Sequence, residues 1–167
     1  MALRKLVAGN WKMNGSLAAL AELEAIAAAG GDGIDILICP PATLITPAKA
    51  KAARLPIGAQ DCHWHENGAH TGCLSVAMLK EAGAVSVIVG HSERRTDNHE
   101  TSADVRKKAE AVIAGGLQAV VCVGETEAER DAGQALAVVT GQVADSVPPS
   151  VSGQTLVVAY EPVWAIG

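Results

Sequence analysis

The stretch KLVAGNWKMNG, residues 5–15, decides between two architectures. Its first half is a short, mostly apolar run that reads as a buried strand of a parallel sheet. A doubly wound sheet would usually follow its first strand with G-x-G-x-x-G, so that backbone can approach a pyrophosphate. Here the run is followed instead by Asn10, Trp11, Lys12 and Asn14. An amide and a cation placed directly after a strand suit a (β/α)8 barrel, which gathers its chemistry at the carboxyl ends of its strands.

Five further runs repeat the arrangement: IDILICP (34–40), PIGAQ (56–60), VSVIVGH (85–91), QAVVCVGE (118–125) and TLVVAYE (155–161). Polar residues follow them: Gln60 and Asp61, His91-Ser92-Glu93, Glu125, and Glu161. Between the runs, the spacing predicts helices over 17–31 behind a Ser16 cap, 43–54, 76–82, 102–114, and a longest one over 126–147. Alternation of this kind implies an α/β fold with right-handed crossovers. We expect a partial (β/α)8 barrel of about six βα units, with strands 7 and 8 absent, forming a single domain over residues 1–167. Four of the runs are nearly continuous apolar stretches, which predicts strands buried on both faces.

Composition narrows the function classes. The sequence is 49% hydrophobic but only 2% aromatic, with no Phe, so its core is built from Ala, Val, Leu and Ile. A net charge of -5 with short basic clusters argues against a nucleic-acid partner. The sequence contains neither an apolar run near 18 residues nor a signal-peptide pattern, which predicts no membrane partner and a cytoplasmic location. The four cysteines are scattered without C-x-x-C, as in a reduced protein. CHWHENGAHTGC (62–73) is rich in His and Cys, but its spacing is not that of a standard zinc site, so no metal is expected.

Six blocks carry a resemblance: AGNWKMNG (8–15), GAQDCHW (58–64), GAHTG (68–72), VIVGHSERR (87–95), VVCVGET (120–126) and VVAYEPVWAIG (157–167). Together and in this order they resemble the triosephosphate isomerases. The resemblance implies interconversion of dihydroxyacetone phosphate and glyceraldehyde 3-phosphate in glycolysis and gluconeogenesis, by proton transfer through an enediolate and without a cofactor. It implies Glu161 as the base and His91 as a neutral electrophile, with Lys12 as the cation for phosphate and oxyanion. Asn10 and Gly167 become substrate-binding residues, and Glu93 a supporting partner of Lys12. Residues 162–167 become the first part of a lid that excludes water. The family's remaining phosphate contacts follow strands seven and eight, which this sequence does not contain.

The same resemblance makes residues 62–73 a loop that inserts into a partner subunit, with Thr71 reaching that subunit's site. Here the sequence departs from the pattern. Cys73 replaces a glutamate that pairs with an arginine across the interface, and Val76 replaces a proline. The expectations are therefore a homodimer, or another homo-oligomer, or pairing with a complementing C-terminal fragment. Isomerase activity from the shortened chain alone is expected to be weak or absent. The alternative is a non-catalytic partial-barrel oligomer.

Overall fold

Six parallel strands follow one another around a curved sheet in a computed structural model that describes residues 5–30 and 33–166. They are β1 (Lys5–Asn10), β2 (Ile34–Cys39), β3 (Gly58–Ala59), β4 (Ser86–Val89), β5 (Gln118–Val123) and β6 (Leu156–Tyr160). β1 pairs with β2, and β3 to β6 form one continuous ladder in chain order. The two parts join where Ile38 bridges Ile57 and donates its N–H to the Pro56 carbonyl at 3.1 Å. The run PIGAQ thus yields only two ladder residues. The expected partial barrel of about six βα units is what forms, and among the described residues β1 and β6 are its two unpaired edges.

Helices return the chain between strands: α1 (Glu22–Ala28), α2 (Ile45–Lys51), α3 (Val76–Ala82), α4 (Ser92–Asp97), α5 (Ser102–Ala114), α6 (Glu127–Asp131) and α7 (Ala135–Ser146). Their ends follow local chemistry. Thr101 with Asp104, and Thr126 with Glu129, form complete capping boxes at α5 and α6. Two expectations need correction. Ser16 does accept the Ala19 N–H, but the first turn is a 3-10 turn over Ala19–Ala21 and the helix proper begins at Glu22. The long helix over 126–147 is two helices. Gly133 adopts φ 71°, its N–H reaches the Arg130 carbonyl, and the Gln134 N–H reaches that of Glu129. That pair of bonds is a glycine-dependent helix stop.

Alternation along the strands creates two apolar layers. Leu37, Cys39, Ile88, Val120 and Cys122 face the barrel interior, with Leu6 and Ala159 packed beside them. Ile38, Val87, Val89, Ala119, Val121 and Val123 face outward against Leu23, Ile45, Val105, Ala109 and Val112 of the helices. Gly58 has no room for a side chain, because a Cβ there would lie 2.6 Å from Cys39 Sγ. β4 is fully buried, as is β5 apart from its first residue. The expectation of burial on both faces fails at the edges. Val7 is 58% exposed, Val158 42% and Tyr160 55%, since among the described residues no helix covers these positions of β1 and β6. An open cavity of about 900 Å³ lies between these edges at the amino ends of the strands, lined by Leu6, Leu37, Leu156 and Val158 among others.

Among the described residues, no helix is long and apolar enough to cross a membrane. The packing predicts a contrast between two leucines. Leu23→Ala empties a fully buried position and should cost about 2–5 kcal/mol in chemical denaturation. Leu136→Ala, at a position 78% exposed, should change stability by less than about 0.5 kcal/mol.

Candidate active site

The parallel register sets the carboxyl ends of the strands side by side, and the polar residues gather there. Asn10 ends β1 and folds back on the chain after it. Its Oδ1 accepts the Lys12 N–H at 2.9 Å, and Lys12 takes φ 52°, unusual for a residue with a side chain. Two bonds from Gln60 hold that conformation. Its Nε2 donates to the Lys12 carbonyl at 2.8 Å and to the Cys39 carbonyl at 2.9 Å. A strained backbone persists when its surroundings over-determine it in this way.

Lys12 Nζ lies 2.9 Å from Glu93 Oε1, and Glu93 Oε2 lies 3.5 Å from His91 Nδ1. His91 is buried and caps α4, where its Nδ1 accepts the Glu93 N–H at 3.2 Å. In the neutral ring this leaves the proton on Nε2. Nε2 faces Glu161 Oε2 at 3.5 Å. That carboxylate oxygen is buried and has no hydrogen-bond partner. Buried polar atoms are rarely left so. Beneath it sits Cys122, whose thiol is pushed up by burial first and by the Glu161 carboxylate second.

The residues named from sequence divide between two cavities. Asn10, Lys12, His91, Glu93 and Cys73 line one of about 480 Å³. Glu161 lines a smaller neighbour of about 150 Å³ with Ser92, Arg95 and Gln142. His91 is the link between them. Thr71 is exposed on the loop after β3, and Gly167 lies outside the described residues. The arginine after Glu93 is paired within the chain: Arg94 Nε contacts Glu100 Oε1 at 2.6 Å and Asp61 Oδ2 at 3.1 Å. Lys108 Nζ binds the same two carboxylates at 2.5 and 2.6 Å. Burial raises the Asp61 pKa against the pull of Lys108 and Arg94. Cys73 itself is exposed.

Sequence reasoning placed Glu125 at a strand end without giving it a task. It is fully buried. Tyr160 Oη donates to both its oxygens at 3.1 Å, and Trp164 Nε1 donates to Oε1 at 3.0 Å. Arg130 stacks 4.0 Å from the Trp164 ring centroid. The segment after Glu161 is therefore pinned to β5 by one carboxylate. Gln60 was placed at a strand end without a task, and Gln142 escaped the sequence reading, because an amide that binds backbone leaves no motif. Among the described residues, no group of three His, Cys, Asp or Glu side chains could hold a metal ion.

The arrangement offers a carboxylate with a free oxygen, an imidazole N–H and an ammonium at the rim of one sheet. These are the components of proton transfer beside a polarised carbonyl. Comparisons with known proteins agree in kind. The family model described as triosephosphate isomerase matches residues 5–167. A triosephosphate isomerase of Dinoroseobacter shibae is 61% identical over 98% of this chain and 68% of its own length. One of Afipia carboxidovorans is 59% identical over 99% of this chain, again 68% of its own length. The crystal structure of triosephosphate isomerase from Bartonella henselae superposes with a TM-score of 0.92 at 46% identity, covering 97% of this chain and 69% of that one. The chain belongs to the triosephosphate isomerase family, a family of isomerases built on the (β/α)8 barrel. Its 167 residues span about 68% of the length of these relatives.

One prediction concerns Glu125. Its pKa is lowered, first by the Trp164 hydrogen bond and then by backbone and Tyr160 bonds against an opposing effect of burial. A depressed carboxyl contributes stability above its ordinary titration range and loses it as pH falls through the lowered value. The Trp164 indole N–H resonance should therefore hold its bonded position through the ordinary glutamate range and move only in stronger acid. Glu125→Gln should abolish that acid transition.

Proposed function

We propose that this chain carries its family's reaction, interconverting dihydroxyacetone phosphate and glyceraldehyde 3-phosphate. The observation that carries the reading is the placement of Lys12, Glu93, His91 and Glu161 at one rim, with successive polar atoms 2.9 to 3.5 Å apart. Glu161 is the base. Its unpartnered Oε2 takes a proton from the carbon beside the carbonyl and returns it to the neighbouring carbon. His91 Nε2–H donates to the oxygens on which the enediolate charge develops, and Lys12 attracts the phosphate and balances that charge. Asn10 keeps its amide nitrogen free to orient the substrate, since its Oδ1 is held by Lys12. Glu93 supports Lys12 and His91. The Gly167 N–H grips the phosphate, and Pro162 to Gly167 begin the lid.

On this reading residues 1–167 act as one domain in the cytoplasm, in glycolysis and gluconeogenesis. Thr71 and Cys73 lie on the loop that meets a second copy in a homodimer. As a separate 167-residue polypeptide, the chain is weakly active or inactive, because family phosphate contacts beyond strand six are not supplied. Each 1.36 kcal/mol of transition-state stabilisation lost costs about tenfold in rate. A second reading, a non-catalytic partial-barrel oligomer, draws on the exposed Val7, Val158 and Tyr160 of β1 and β6. Unpaired edges and exposed apolar faces drive association.

A coupled isomerase assay tests these readings. Turnover should be low for the polypeptide alone and should rise when the remaining third of a family member is added in trans. In the complemented preparation, Glu161→Gln should cut kcat by about 10²–10⁴. Absence of turnover in both preparations would favour the second reading. Light scattering after size exclusion should show a species larger than the 17.0 kDa chain, and a monodisperse monomer would overturn the association.

A further inference from the structure

We infer that Gln142 on α7 is a positioning residue for Glu161, acting through the backbone N–H and C=O of Gly124. In a parallel sheet, alternate residues of a strand turn their N–H and C=O to opposite neighbours. Val123 and Glu125 turn theirs toward β6: the Glu161 N–H reaches the Val123 carbonyl at 2.8 Å, and the Val163 N–H reaches that of Glu125 at 3.0 Å. Gly124, between them, turns its groups toward the β4 side. There the ladder has already ended, at Val89 opposite Val121, and the chain has left for α4. The Gln142 carboxamide fills the gap. Its Oε1 accepts the Gly124 N–H at 2.8 Å, and its Nε2 donates to the Gly124 carbonyl at 3.1 Å. One primary amide thus does what two successive peptides of the neighbouring strand would do, and it extends β5 past the end of its neighbour.

The extension matters because Glu161 rests on it. A Cβ built on Gly124 would lie 1.9 Å from the Glu161 carbonyl oxygen, so the two backbones are in direct contact. Gln142 and Glu161 also line the same small cavity. If Gly124 drifts, both flanking bonds to β6 loosen, and the carboxylate loses its fixed distance to His91. A positioning role of this kind predicts a defect in the chemical step and not in substrate affinity. That consequence rests on Glu161 being the base, as proposed above, whereas the clamp itself does not.

Two readouts keep these apart. Hydrogen exchange by NMR on the 167-residue chain compares the wild type with Gln142→Met and Gln142→Glu. Gln142→Met is close in shape but can neither accept nor donate comparably. The Glu161 and Val163 amides should exchange roughly tenfold faster in it, with Val121 deeper in β5 unchanged. Gln142→Glu should lie between the wild type and Gln142→Met while its carboxylate is ionised, because it can still accept the Gly124 N–H but cannot donate to the Gly124 carbonyl. It should regain protection, relative to intrinsic exchange rates, as the carboxyl protonates and can donate to the Gly124 carbonyl. Unchanged protection at Glu161 and Val163 would overturn the inference, as would equal loss at Val121. In the complemented assay, kcat should fall about tenfold in Gln142→Met with KM unchanged. A wild type without turnover would remove the isomerase reading and leave the exchange result to decide the clamp. A KM effect alone would overturn the positioning role.

Discussion

The parallel register of β4, β5 and β6 is the constraint on which the site depends. Val89 stands opposite Val121, and Val123 opposite Tyr160, so the ladder steps two residues further along the chain with each pair. The stagger is the geometry that curves a parallel sheet toward a barrel. It also delivers His91, Glu125 and Glu161 to one rim although they are far apart in sequence. Nothing in their own chemistry would bring them together. The hydrogen bonds of the strands do so, and the helices outside hold the strands in place through an aliphatic layer.

The interior leaves little freedom. With no Phe in the sequence, the barrel is filled by Leu, Ile, Val and Cys, and Gly58 is needed where Cys39 already occupies the space. Several polar side chains at the rim are held by backbone as well as by one another. Gln60 binds two carbonyls, Gln142 binds both the N–H and the C=O of Gly124, and Arg95 reaches the carbonyls of Gly90 and Cys122. The two glutamines orient the rim without adding charge to it, beside the charged groups Lys12, Glu93 and Glu161.

Much of this was legible in the sequence. Apolar runs ending in polar residues disclosed the strands and the rim, and the start of the helix at Ser102 was read correctly. Other features depended on three-dimensional context. The break at Gly133 is invisible to hydrophobic spacing, which continues from one helix into the next. The exposure of Val7 and Val158 could not be read from their residue types, because burial depends on which layer lies above them. The departure at Cys73 was visible as a missing acid. Only coordinates show that Arg94, the arginine after Glu93, is already neutralised by Asp61 and Glu100 of its own chain. The glutamine clamps were hidden for a different reason: a side chain that imitates backbone leaves no pattern in sequence.

The four cysteines divide by environment in a way that makes the molecule its own reporter. Cys39 and Cys122 lie inside the barrel and Cys62 behind the rim, while Cys73 is exposed. Burial pushes the thiols of Cys39 and Cys62 up to about 12, so the nucleophilic thiolate is scarce in the folded molecule. An alkylating reagent therefore meets one accessible sulfur at once, and the others only when the barrel parts. The rate at which the second and later equivalents are consumed becomes a clock for opening of the core, readable by mass and needing no added probe.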